Sequence, residues 1–268
     1  MTPQAPNVLE RILGETRTEV ERRKREQPLP ALEPGAPKRD SRFASTLAAP
    51  GIGVIAEFKR RSPSAGAMRS DPDVTEIVGA YARGGAVALS VLTEGPNFAG
   101  SLDDLRLAAA VCDLPLLRKD FIIDPYQLHE SVAAGADAVL LIVAALDEAR
   151  LRSLHRTARE LGLDVLVEVH DRDELERALD AGAEIVGVNN RDLTDFSVDV
   201  VRTERLMAYM APGVTVVSES GIADAEQLAS LQRLGVQAVL VGESLMRSAD
   251  PQAALRRLQS FSGTEPAL

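Results

Sequence analysis

Eight short apolar runs, each followed by a longer stretch carrying charges at helical spacing, constrain this chain more than any other feature. The runs are GVIAEF (53–58), AVALSVL (86–92), LPLLRK (114–119), DAVLLIV (137–143), DVLVEV (164–169), EIVGVN (184–189), VTVVSES (214–220) and QAVLVGE (237–243). Between them lie patterns such as VTEIVGAYAR, LDDLRLAAAV, PYQLHESVAAG, DEARLRSLHRTARELG and RDELERALDAG. Continuous apolar strands are expected where a sheet is covered on both faces, and strand-then-helix units call for parallel pairing. Eight such units are the number that closes a (β/α)8 barrel. An internal repeat supports the count: ARGGAVALSVL, AAGADAVLLIV, DAGAEIVGVNN and RLGVQAVLVGE each read helix end, glycine, short turn, strand. The glycines (Gly85, Gly135, Gly182, Gly235) are spaced by 50, 47 and 53 residues, or two βα units, and fit the left-handed position that ends a helix. An open, doubly wound sheet is the competing fold.

The 268 residues suit one such barrel, expected over 51–260, preceded by a helical extension over 1–50 that packs on it. A composition of 45% hydrophobic and 26% charged residues is that of a soluble globular protein. A net charge of −10 lacks the basic footprint of a nucleic-acid binder, so any anion site must be local. The single cysteine, Cys112, excludes an internal disulfide framework, fits a reducing cytoplasm, and reads as a packing residue. The N-terminal stretch is charged throughout, with no apolar core of a secretory signal, and no run is long enough to span a membrane. Charges of alternating sign along the first helix argue against a membrane-surface role. Pro28, Pro30, Pro34 and Pro37 mark an irregular connector to the segment at 41–48.

In a barrel, chemistry sits at the C-terminal strand ends. Alternation puts Glu57 and Lys59 on one face of the first strand, with Phe58 turned to the helices. It groups Leu117, Lys119 and Phe121 on the third strand, and Leu166 with Glu168 on the fifth. Asn189 ends the sixth strand and Ser220 the seventh. Two lysines and two glutamates at one mouth can satisfy one another where isolated charges would not be tolerated, and their proximity suits acid and base roles. Gly221 and Gly242, each before a helix-like segment, would admit an anion to backbone N–H groups, with Glu243 contributing its backbone and its carboxylate turned away. Arg60 and Arg61 are expected at the surface, as are His129 and His155. His170 adjoins the site, with a catalytic and a structural role both open. Gly51 to Ala56 matches a dinucleotide fingerprint, but its glycines precede the strand instead of following one, so it is set aside.

Several stretches carry a resemblance. IAEFKRRSPSAG (55–66), SVLTE (90–94), FAGS (98–101), PLLRKDFIIDPYQ (115–127), ADAVLLIVA (136–144), LVEVHD (166–171), VGVNNRDL (186–193), SESGI (218–222) and VGESLMR (241–247) together resemble the indole-3-glycerol phosphate synthases. That resemblance implies closure and decarboxylation of 1-(2-carboxyphenylamino)-1-deoxyribulose 5-phosphate to indole-3-glycerol phosphate, CO2 and water. It implies no cofactor or metal, no nucleic-acid or membrane partner, and a monomer or weak homodimer. Lys119 would be the general acid at the carbonyl, and Glu168 the acid/base of the dehydration, with Lys59 assisting. Glu57 would orient both lysines. Asn189, Arg191, Glu219 and Ser220 would bind the ribulose hydroxyls, Ser62 the anthranilate end, and Gly221, Gly242 and Glu243 the phosphate. Phe121 and Leu140 would wall the aromatic ring. Asn190 stands where other members often carry Ser, and Glu243 where some do. A Schiff-base aldolase, a related isomerase and a silent binding barrel are the rival readings.

Overall fold

The apolar runs form strands because β-branched and leucine side chains fill both the barrel interior and the layer beneath the helices. The computed structural model describes residues 7–29, 41–192 and 196–260; Pro30, Pro34 and Pro37 lie outside the described residues. In chain order the strands are β1 (Gly53–Phe58), β2 (Arg61–Ser62), β3 (Gly66–Ala67), β4 (Ala88–Leu92), β5 (Leu116–Lys119), β6 (Ala138–Ile142), β7 (Asp164–Val169), β8 (Ile185–Asn189), β9 (Thr215–Glu219) and β10 (Ala238–Val241). β2 and β3 make a small antiparallel hairpin in the loop after β1. The other eight are parallel and close on themselves in the order β1-β10-β9-β8-β7-β6-β5-β4. β1 pairs with β10 through Gly53 and Ala238 and with β4 through Phe58 and Val91, which rules out the open sheet.

The helices are α1 (Val8–Glu26), α2 (Arg42–Leu47), α3 (Val74–Gly84), α4 (Leu102–Val111), α5 (Pro125–Ala133), α6 (Glu148–Glu160), α7 (Arg172–Asp180), α8 (Arg202–Met207), α9 (Ala225–Arg233), α10 (Glu243–Arg247) and α11 (Pro251–Gln259). Most barrel helices begin at an aspartate or serine whose side chain accepts a first-turn N–H, as Asp73, Ser101, Asp147, Asp171 and Asp224 do. The four repeat glycines end helices in the left-handed region, with φ between 88° and 95°. Local chemistry thus starts most of the barrel helices and stops four of them, and sheet closure then assembles one continuous apolar core.

α1 buries Leu9, Ile12, Leu13, Thr16 and Val20 on one face and reaches the barrel loops through polar contacts. Lys24 pairs with Asp124 at 2.8 Å, Arg23 with Glu130 at 2.8 Å, and Asn97 donates to Glu15 at 2.7 Å. No helix among the described residues is long and apolar enough to cross a membrane.

Two surface expectations are corrected. Arg60 is no decoration: its guanidinium binds Asp104 through two hydrogen bonds of 3.1 and 2.7 Å and lies over the Phe58 ring. Arg61 is exposed, as expected, and donates to the carbonyl of Asn97, tying the first loop to the next. His155 is buried on the inner face of α6, where desolvation and the nearby Arg159 hold its imidazole below the ordinary range. His129 is partly buried, and Cys112 packs against the core.

The largest fully buried side chain is Arg118, the neighbour of Lys119 that points away from the mouth. It donates to Asp120 at 2.8 Å, to Thr93 at 3.0 Å and to the Gln127 carbonyl at 2.7 Å, and faces Glu130 at 3.5 Å. Glu130 therefore joins Arg118 to Arg23 of α1. Without Glu130, Arg118 keeps Asp120 at 2.8 Å, so the cost is that of a buried charged group short of one partner, about 1–3 kcal/mol. Glu130→Ala is expected to lose stability of that order in urea unfolding; a loss below about 1 kcal/mol, the range of exposed pairs, would show that this link is energetically idle.

Candidate active site

Alternation along parallel strands delivers every second side chain to the barrel axis, and the last inward residue of each strand meets its counterparts at the mouth. Here those residues surround a cavity of about 490 Å³. All fourteen residues that the sequence singled out line it, on loops and strands from β1 to α10.

At its base lies Lys119. Its ammonium stands 3.0 Å from Glu168 Oε2 and 3.1 Å from Glu219 Oε2. The expected arrangement differs in one respect: Glu57 pairs with Lys59 at 2.9 Å, while Lys119 takes its direct partners from β7 and β9. Glu219, expected to meet the ribulose hydroxyls, lines the cavity and is buried beside the lysine.

Three buried charges of unequal number must reach an electrostatic compromise. Burial opposes the Lys119 ammonium, but the two carboxylates outweigh it and raise its pKa. Burial also works against the Glu168 carboxylate, yet Lys119 and His170 hold its pKa below the ordinary value. Glu219 goes the other way: burial, reinforced by the Glu168 charge, pushes its pKa up to about 7 in spite of Lys119. Two carboxyl groups sharing one cation thus separate into an ionised group and one that holds its proton near neutrality.

Glycine placement makes room for this cluster. A Cβ on Gly187 of β8 would stand 2.2 Å from Glu219 Oε1, and one on Gly242 would stand 2.4 Å from Glu57 Oε1. Gly242, read from sequence as a phosphate contact, is thus already required by Glu57. Gly187 escaped the sequence reading, although a glycine inside a strand marks a close approach.

The rim is polar. Ser220 donates to Asn189 Oδ1 at 2.9 Å, and the Arg191 backbone N–H donates to the same oxygen at 3.1 Å. Ser220 has a left-handed φ of 66° and the following Gly221 a φ of 81°, a strained bend of the kind found at functional loops. Arg191 donates to Ser64 Oγ at 3.2 Å, and Arg247 to the Ala65 carbonyl at 2.9 Å, so two cations hold the tip of the first loop. Both face Glu243, at 3.7 and 3.3 Å, so its carboxylate is engaged with arginines at the rim. Ser62 lies at the base of the same loop, with its Oγ accepting the Ala65 N–H.

One wall is apolar. Phe121 and Leu140 are joined there by Phe98, Ile142 and Leu240, and the Phe98 and Phe121 rings lie 6.2 Å apart between centroids. Phe98, Ser64 and Arg247 were missed as site residues. Each sits within a quoted motif, but on a loop or helix where strand alternation gives no direction. His170 sits behind Glu168 and does not line the cavity. Among the described residues no group of three or more His, Cys, Asp or Glu is arranged to hold a metal ion.

The raised Glu219 pKa has a definite sign. The unfolded carboxyl ionises near 4.5 while the folded one holds its proton to about 7. The group therefore subtracts stability progressively as pH rises between those values and subtracts the full amount above them. Glu219→Gln lacks this titration, so its Tm relative to the unmodified chain is expected to rise from pH 5 to pH 8; a constant or falling difference would contradict the shift. Gly187→Ala is expected to disturb the same carboxylate, lowering Tm and expelling Glu219 from Lys119 in a crystal structure of the variant. Retention of the wild-type Tm and pairing would contradict the close approach.

Comparison with known proteins gives the family. A family model described as indole-3-glycerol phosphate synthase matches residues 9–258. An indole-3-glycerol phosphate synthase of Dehalococcoides mccartyi (strain CBDB1) is 49% identical over 257 residues, covering 94% of this chain and 99% of its own. One from Nocardioides sp. is 53% identical over 210 residues, covering 78% and 81% respectively. Among solved structures, a mutant tryptophan synthase alpha-subunit from Pyrococcus furiosus superposes with a TM-score of 0.61 at 15% identity, over 78% of this chain and 98% of that one. A thiamine phosphate pyrophosphorylase from the same organism gives 0.61 at 18%, over 79% and 95%. At such identities these structures speak for the barrel alone. The family model spans nearly the whole barrel and the relatives match along most of their own length, and the chain belongs to the indole-3-glycerol phosphate synthase family.

Proposed function

We propose that this chain converts 1-(2-carboxyphenylamino)-1-deoxyribulose 5-phosphate to indole-3-glycerol phosphate, CO2 and water, and that it does so with side chains of the cavity described above. The observation that carries the mechanism is the Lys119 ammonium held between Glu168 and Glu219 at the base of a cavity with one apolar wall. The substrate is flat at one end and doubly anionic at the other, and the cavity has the matching asymmetry. Phe98, Phe121 and Leu140 would take the aromatic ring. Arg191 and the backbone around Gly221, Gly242 and Glu243 would take the phosphate, and Asn189 and Ser220 the ribulose hydroxyls.

Ring closure requires the aromatic carbon bearing the carboxylate to attack the ribulose carbonyl, with temporary loss of aromaticity. Lys119, kept cationic by its partners, would donate to the carbonyl oxygen; transfer becomes favourable as that oxygen acquires alkoxide character. CO2 then leaves from the carbon that formed the new bond, and the ring regains aromaticity. The hydroxyl finally departs as water while a proton leaves the adjacent carbon. Glu168 would handle that proton traffic with Lys59, which Glu57 holds at 2.9 Å. A Schiff-base mechanism needs a lysine whose pKa is lowered so that the amine is free; Lys119 is raised instead. The phosphorylated substrate would be the main partner, in a cytoplasmic monomer or weak homodimer with no nucleic-acid or membrane partner.

The chain contains no tryptophan, so indole emission reports product directly. Adding the carboxyphenylamino-deoxyribulose phosphate to folded protein is expected to produce that emission; its absence would reject the function. Lys119→Met is expected to lower kcat by roughly 10²–10⁴, the range of a positioned general acid, while substrate still binds. Undiminished turnover would remove Lys119 from the mechanism.

A further inference from the structure

Behind Glu168, on the side away from Lys119, two buried polar atoms face each other with no hydrogen-bond partner of their own: Glu168 Oε1 and His170 Nε2. They are 3.5 Å apart. The other ring nitrogen of His170, Nδ1, lies 3.0 Å from Glu174 Oε2, which also accepts the His170 backbone N–H at 2.8 Å. The imidazole thus stands between two carboxylates, one at the end of β7 and one in the first turn of α7.

A neutral imidazole has one N–H and one lone pair. Whichever tautomer it adopted, a buried lone pair would face a carboxylate oxygen. The imidazolium has two N–H groups and satisfies both. The alternative, a protonated Glu168 donating to neutral histidine, conflicts with the Lys119 ammonium 3.0 Å from the other Glu168 oxygen. Burial and Arg202 of α8 oppose the charged ring, but the hydrogen bond to Glu174 and the charge of Glu168 outweigh them and raise the His170 pKa.

We propose that His170 is a positioning residue, held as an imidazolium between Glu174 and Glu168, that fixes the outer oxygen of Glu168 and keeps its inner oxygen aimed at Lys119. The role of Glu168 in turnover rests on the function proposed above; the state of His170 does not. With its imidazolium in place, Glu168 stays ionised to lower pH than Lys119 alone would allow.

The experiment has two arms. In protein labelled with 15N-histidine there are three ring systems, His129, His155 and His170, and His170→Gln identifies the third. Both ring nitrogens of His170 are expected to be protonated at about pH 7, above the ordinary histidine value of about 6.5. A single neutral tautomer at that pH would overturn the proposal, whether or not the chain turns over the substrate. In the second arm, His170→Gln keeps a donor near Glu168 and removes the charge. Loss of an opposite charge at this range moves a carboxyl pKa by about 1–3 units. The acid limb of kcat is therefore expected to move up by about one unit or more, with KM unchanged. A lowered kcat with an unmoved pH profile would mark His170 as a packing residue and refute the positioning role. Should the variant fail to fold, the nitrogen spectrum of the unmodified chain decides alone. Should the unmodified chain show no turnover, the proposed function falls and the spectrum still tests His170.

Discussion

Everything at the mouth of this barrel depends on one ammonium shared by two buried carboxylates. Lys119 arrives from β5, Glu168 from β7 and Glu219 from β9, so no local segment can form the cluster. Only a closed sheet places them together, and closure follows from the repeated strand-then-helix pattern. The cluster in turn dictates small features around it. Gly187 is bare because Glu219 needs the space, and Gly242 because Glu57 does. One cation between two acids also cannot keep both acids equally ionised, and this asymmetry gives the site an acid near neutrality beside a firm carboxylate.

Charge is balanced in layers around that centre. Glu57 and Lys59 form a second pair at the mouth. Arg191, Arg247 and Glu243 form a rim that grips the first loop. Behind the strand, Arg118 turns away from the cavity into its own acidic pocket and connects through Glu130 to α1. The consecutive cations Arg118 and Lys119 thus serve opposite sides of one strand, the first holding the strand to the helices and the second serving the cavity. This is the alternation of a β-strand expressed as a division between stability and chemistry.

The fold was legible in the sequence because its signals are local and repeated: apolar runs, capping residues, and glycines ending helices at two-unit spacing. The inward residues were legible for the same reason, since parity along a strand says which side chains reach the axis. Which acid meets which lysine was not legible. Pairing Lys119 with Glu219 instead of Glu57 depends on how eight strands register around a closed barrel, and parity carries no such information. Arg60 looked like surface because its partner, Asp104, lies 44 residues away on α4. His155 looked like surface because one histidine does not reveal which way a helix face turns. Phe98, Ser64 and Arg247 reach the cavity from loops and a short helix, where no period applies.

Glu168 and Glu219 divide their protonation around Lys119. The most direct measurement is a carboxyl-carbon NMR titration of glutamate-labelled protein, with Glu168→Gln and Glu219→Gln used for assignment. Glu219 is expected to titrate at about 7 while Glu168 remains ionised below the ordinary glutamate range. Two carboxyl groups that titrate together near the ordinary value of about 4.3 would contradict it.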